Sequence, residues 1–282
     1  VVLKLDDHFH GWSDTVSVNL TDGVPQPQAG VPAIQVQATA VVPSGDIEAV
    51  RRRLAAGDVA AVIFEGSGAH YGRSPLPDGF AVQLREACDH AGALLVIDEV
   101  VTGFRVATGG MQQVLGITPD LSVFGKVMAG GLPGGAVGGR RDLMELLAER
   151  IFHPGTFNAN PLSASAGIAT LDICADGRPQ ERAATTAAAL ESGWREALQR
   201  AGTPGRAWRL ASIVHLELDD PVAQATLATR LRAEGVDLLH TSAFVSAVHS
   251  EEDVARSVSA LGRVLGAAHH SQPPRAASPA SP

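Results

Sequence analysis

Ala93-Leu94-Leu95-Val96-Ile97-Asp98-Glu99-Val100 is the stretch from which the fold can be read. Five apolar residues run without a break into two acids, and a strand apolar on both faces belongs in the middle of a covered sheet. Just before it, residues 78–91 place Phe80, Leu84, Ala87, Cys88 and Ala91 on one helical face, with Pro77 ahead and Gly92 as a C-terminal stop. Further short apolar runs at residues 1–5, 33–36, 59–64 and 121–124 read as strands, several separated by helical spacing. The alternation predicts an α/β fold, a mostly parallel central sheet flanked by helices. In such sheets ligands bind outside the carboxyl ends of the strands.

Beyond Arg140 the spacing predicts helices over 142–150, 162–174 and 180–201. From Trp208 a smaller α+β lobe is expected, with strands at 213–218 and 236–239 and helices at 222–234 and 251–265. The resulting organisation is a large domain over 1–207, a small C-terminal domain over 208–268 and a tail, 269–282, whose Pro, Ser and Ala content predicts disorder. Residues 1–5 already read as a strand with no initiator Met and no cap before it, which implies a segment upstream.

Composition narrows the function classes. The chain has 282 residues, 45% of them hydrophobic and 18% charged, with a formal net charge of −8. That balance suits a soluble globular protein and offers no basic field for nucleic acid or anionic lipid. No apolar run approaches the roughly 20 residues of a membrane helix. Cys88 and Cys174 have neither disulfide-framework nor zinc-ligand spacing, so a reducing, cytoplasmic location is expected.

The chemistry is expected at two strand ends. Asp98 closes a hydrophobic strand, where an unpaired charge is costly, and needs a cationic partner. Phe124-Gly125-Lys126 ends the next apolar strand and runs into Ala129-Gly130-Gly131, so a lysine stands at a second strand end beside backbone that permits close approach. A lysine amine can form a Schiff base with an aldehyde cofactor, and a buried aspartate can keep a pyridinium nitrogen protonated. Taken alone, the same two residues also suit a structural ion pair, or a lysine on a solvated turn.

A longer set of motifs points to the first of these. Residues 93–112, ALLVIDEVVTGFRVATGGMQ, are followed by Thr118-Pro119-Asp120, by residues 125–133, GKVMAGGLP, by Gly138-Gly139-Arg140 and by residues 153–162, HPGTFNANPL. Weaker matches are Ser242-Ala243-Phe244 and residues 249–253, HSEED. Together they resemble the class III aminotransferases that use pyridoxal 5'-phosphate, nearest to the glutamate-1-semialdehyde aminomutase branch, over nearly all of residues 1–268. The resemblance implies the type I fold of pyridoxal-phosphate transferases and an enzyme that moves an amino group between a small-molecule donor and a carbonyl acceptor. It makes Lys126 the Schiff-base lysine and proton carrier, and Asp98 the partner of the pyridine nitrogen. Val100 would pack on one face of the cofactor ring, and Phe9, in Phe9-His10-Gly11, would stack on the other, with His10 beside it in the cofactor site. Thr156 would reach across a homodimer interface to the neighbour's cofactor phosphate.

The resemblance has two gaps. The Ser-Gly-Thr-type loop that binds the phosphate in family members lies ahead of the position of Val1, and an acidic residue expected after Phe244 is missing, which bears on aminomutase activity more than on transamination. The alternative is a non-catalytic or split-enzyme subunit of the same fold.

Other signals have plainer readings. His8 and His10 could both ligate a metal, but no third ligand is near in sequence. Residues 65–70, EGSGAH, invite a dinucleotide-loop reading, but position 71 is Tyr and the glycine fingerprint fails. Glu65 suits a structural hydrogen-bonding role, Arg105 suits pairing with an acid such as Glu99 or contact with substrate, and Trp12, Trp194 and Trp208 suit a core or an interface.

Overall fold

The computed structural model describes residues 1–270. The first unit contains β1 (Val2–Leu5), the hairpin β2 (Val18–Thr21) and β3 (Val24–Pro27), β4 (Thr39–Val42), α1 (Ile47–Leu54), β5 (Ala61–Glu65) and a single turn, α2 (Ala69–Gly72), that is left-handed at His70 and Tyr71. It continues through α3 (Phe80–Ala91), β6 (Leu94–Asp98), α4 (Gly110–Leu115), β7 (Leu121–Phe124), β8 (Ala136–Gly139), α5 (Arg141–Glu149) and α6 (Pro161–Cys174). Six strands form one sheet in the order β4-β1-β5-β6-β7-β8, all pairings parallel except that of β7 with the edge strand β8. Helices separate most of the parallel strands, as the alternating pattern predicts.

The core is built by alternation. Leu3 and Leu5 of β1, Val62 and Phe64 of β5, and Leu95 and Ile97 of β6 are all fully buried. Phe80, Leu84 and Cys88 of α3 are buried too, and each such side chain contributes about 1.5–3 kcal/mol of gross hydrophobic stabilisation. Leu94 and Val96, on the other face of β6, are only partly covered, so this strand is less evenly buried than its composition suggests. Lys4 is buried within β1 and donates to the Val18 carbonyl and to Asn19 Oδ1, both at 2.7 Å, tying the hairpin to the sheet.

The chain divides into compact units between Gln180 and Glu181. The second unit holds most of α7 (Arg178–Ala201), then β9 (Gly205–Leu210), β10 (Ile213–Leu218), α8 (Pro221–Ala233), β11 (Ser242–Phe244) and α9 (Glu251–His270). Its three strands are antiparallel in the order β11-β10-β9. The division falls ahead of position 208 because Leu190, Trp194 and Leu198 of α7 share one buried cluster with Leu216, Leu227 and Leu261.

Two expected strands differ. Residues 33–36 form a 3-10 turn whose residues are mostly exposed, introduced by Pro32, and β4 just after it takes the sheet edge instead. Residues 236–239 form no strand; β10 pairs with β11 beyond them. The expected tail lies outside the described residues from position 271, while His269 and His270 close α9. Among the described residues no helix is long and apolar enough to cross a membrane.

Candidate active site at the carboxyl edge of the sheet

Parallel pairing brings the ends of β1, β5, β6 and β7 to one edge. Glu65 and Asp98 are register partners at the ends of β5 and β6, and Asp98 is level with Val123 of β7. After β7, Gly125 is extended and Lys126 turns into a 3-10 helix with φ +48°. A lysine in the left-handed region costs on the order of 1 kcal/mol or more, and such strain persists only where the surroundings impose it. Here the surroundings include α6, since a Cβ built on Gly167 would stand 3.1 Å from the Met128 carbonyl and one on Gly130 would collide with Thr170. Val100 lies against the same turn, its Cγ1 at 3.4 Å from where a Gly125 side chain would begin.

Asp98 is only 9% exposed and is held at both oxygens. Its Oδ2 lies 2.9 Å from His10 Nδ1, and its Oδ1 accepts the Val100 N–H at 3.0 Å. His10 Nε2 is buried with no hydrogen-bond partner. Lys126 is held below the ordinary lysine pKa, chiefly by burial; Asp98 and Glu65 oppose the shift and Arg105 adds to it. Solvent still reaches Lys126, so its desolvation is partial.

Glu65 is more central than its sequence context suggests. It is buried, its Oε1 accepts the Phe9 N–H at 2.8 Å, and its own N–H donates to His8 Nδ1 at 2.8 Å. Burial pushes its carboxyl up to about 7; Asp98 adds to this, while the N–H groups of Phe9 and Tyr71, and Lys126, oppose it. Glu99 does a different job. It is fully buried, with its carboxylate accepting from Thr102 Oγ1 and from the N–H groups of Met111 and Gln112, both at 2.9 Å, so it caps α4.

The structure therefore joins Asp98, Val100, His10, Glu65, His8 and the Phe9 main chain by hydrogen bonds, and sets Val100 against the turn that carries Lys126. Both ring nitrogens of His8 are engaged within the protein, which leaves none for a metal. Among the described residues no group of three metal-binding side chains forms. Thr156 stands apart in an exposed stretch, and no hydrogen bond joins it to this cluster. The signal for Glu65 was its position after a buried strand; nothing local in the sequence distinguishes His8 from a metal ligand.

The donor set suits a pyridine aldehyde. Lys126 offers an amine, Asp98 a carboxylate fixed by two bonds, and Phe9, 72% exposed, and the half-buried Val100 offer apolar surface for a flat ring. Residues 2–259 match the family described as aminotransferase class-III. Among curated proteins, a glutamate-1-semialdehyde 2,1-aminomutase of Thermomicrobium roseum is 40% identical over 94% of this chain and 67% of its own length. Another of the same name, from Chloroherpeton thalassium, is 34% identical over 95% of this chain and 68% of its own. Among solved structures, an omega-transaminase from Sphaerobacter thermophilus superposes with a TM-score of 0.85 at 29% identity, covering 95% of this chain and 68% of that one. A transaminase with PLP bound gives 0.85 at 31% identity, covering 94% and 67%. The chain thus spans about two thirds of the length of the proteins it matches.

Proposed function

Since this chain belongs to the class III aminotransferase family, whose members depend on pyridoxal phosphate, we propose that Lys126 and Asp98 form its cofactor-binding and catalytic centre for amino-group transfer. One observation carries the reading: a lysine and a fixed carboxylate stand at the tips of paired strands, and Val100 touches both the carboxylate, through its N–H, and the Gly125 backbone that leads into Lys126. The bound cofactor supplies an aldehyde for an amine and a protonated ring that withdraws electrons from the substrate carbon.

The chain's own residues supply the rest. Asp98 presents negative charge to the pyridine nitrogen, and His10 and the Val100 N–H hold it in place so that little reorganisation accompanies the reaction. Lys126 provides the attachment amine; its depressed pKa increases the unprotonated fraction that can attack a carbonyl or take a proton from the substrate's α-carbon and return it. Phe9 and Val100 would cover the two ring faces, and exclude water there. The named relatives make an aminomutase or a transaminase the reaction class, with a small-molecule amine as donor and a carbonyl compound as acceptor.

We place the partner copy on the outer side of α6, where Leu162, Ile168 and Ile173 are exposed on a helix that braces the Lys126 turn from its other side. Thr156 would then serve the neighbour's phosphate from the adjoining exposed stretch.

Titration of the purified chain with pyridoxal phosphate should produce yellow absorbance, and borohydride should fix the label on the peptide containing Lys126. Lys126→Ala should lose that label, and Asp98→Asn should weaken binding while leaving Lys126 labelled. Equal labelling of Lys126→Ala would end the assignment; no binding at all would favour a non-catalytic or split subunit.

A further inference from the structure

We propose that His8 is a positioning residue for this site: its imidazole stands in for backbone in the β1–β5 ladder and thereby sets where Phe9, His10 and Glu65 stand. The inference rests on the functional reading above for its consequence, but its geometry is independent of any cofactor.

The backbone explains the need. Pairing of β1 with β5 ends at Lys4 and Ile63, yet β5 continues two residues further, to Glu65. After Leu5 the chain leaves the ladder: Asp7 takes φ +62° and the His8 N–H donates back to the Leu5 carbonyl at 3.3 Å. The N–H of Glu65 then has no β1 carbonyl opposite it. His8 fills that gap, accepting the Glu65 N–H at Nδ1, 2.8 Å away, from a side chain only 1% exposed.

Acceptance at Nδ1 dictates the tautomer. The ring proton resides on Nε2, which lies 3.1 Å from Ser44 Oγ and donates to it. Ser44 is thereby an acceptor from His8, the wrong polarity for an activated nucleophile, so the pair is a clamp between the turn after β4 and the tips of β1 and β5. From this clamp the next residue returns its own N–H to Glu65 Oε1 at 2.8 Å, and the one after reaches Asp98 at 2.9 Å. Three consecutive residues thus read the ends of two strands: His8 holds the Glu65 main chain, Phe9 its carboxylate, and His10 the Asp98 carboxylate.

Its burial keeps the ring neutral, and the charges around it add to the effect. Burial is the largest influence, followed by His10, Lys4 and His70, and they hold His8 at about 3. Protonation would also remove the acceptor on which the Glu65 N–H depends.

The test uses the full chain labelled with ¹⁵N at histidine. His8 should show an unprotonated Nδ1 and a protonated Nε2 down to about pH 5, with the Glu65 amide protected from exchange. Titration of His8 between about pH 5 and 7, or a proton on Nδ1, would overturn the proposal. Variants supply the second arm. His8→Leu should speed exchange of the Glu65 amide and weaken pyridoxal-phosphate affinity, each by about tenfold, the size of one lost buried hydrogen bond. His8→Asn, whose Oδ1 can replace Nδ1 as acceptor, should recover most of both. If the leucine and asparagine variants match wild type in Glu65 exchange, His8 positions nothing. If exchange follows the prediction and no variant, wild type included, binds cofactor, the clamp stands and the catalytic reading fails.

Discussion

At the residue scale, two buried ionisable groups a few ångströms apart have opposite effects on stability. Glu65 has a folded pKa of about 7, raised from 4.5, so the stability it contributes is fully present below about pH 4.5 and is lost as pH rises through 7, an effect on the order of 3 kcal/mol. His8, lowered to about 3 from 6.5, is deprotonated in the native state while still protonated in the unfolded chain, so stability rises as pH climbs from 3 to 6.5. The two slopes partly cancel between about pH 4.5 and 6.5 in the wild-type chain. Glu65→Gln should remove the falling slope, so that urea unfolding at about pH 8 shows the variant gaining relative to its value at about pH 4.5. A variant that tracks wild type across that range would place the titration elsewhere.

At the element scale, the second unit depends on how closely α7 and α9 approach. Gly193 makes the approach, since a Cβ there would lie 2.3 Å from Val258 Cγ2, and Trp194 beside it is fully buried with its indole N–H donating to Ser257 Oγ at 3.3 Å. Gly193→Ala should cost about 1–3 kcal/mol by overpacking, although alanine is the better helix former. Adding Val258→Ala should return part of that loss, a coupling that a double-mutant cycle of chemical denaturation would measure. Simple additivity would show that the two helices shift apart freely. The same scale explains which elements were legible. The buried helix α3 and the strands β6 and β7 have strong periodicity and clear stops, whereas β2, β3, β8 and β9 are short, Pro- or Gly-bearing or partly polar, and take strand form from the neighbour they pair with.

For the whole molecule, α6 presents the largest question of partnership. It is apolar around much of its circumference, its Gly167 side is buried against the turn that carries Lys126, and Leu162, Ile168 and Ile173 face solvent in the single chain. These exposed apolar side chains, spread around the solvent side of the helix, are the basis of the partner surface proposed above. On the proposed dimer, Ile168→Asp should leave the fold intact by circular dichroism and raise the dissociation constant at least about tenfold in sedimentation, because a charge must then be buried in the interface. An unchanged association would put the interface elsewhere.

The α/β class with its mostly parallel sheet, the helix ahead of β6, and the choice of Lys126 and Asp98 came from local information: apolar periodicity, glycine and proline stops, and motif residues at the strand ends. Those features act over a few residues and need no partner to be read. The clamp at His8 and the raised carboxyl of Glu65 were settled only by tertiary structure. Each depends on which groups share a dry volume, and residues separated by more than fifty positions come into that volume only when parallel strands align their tips.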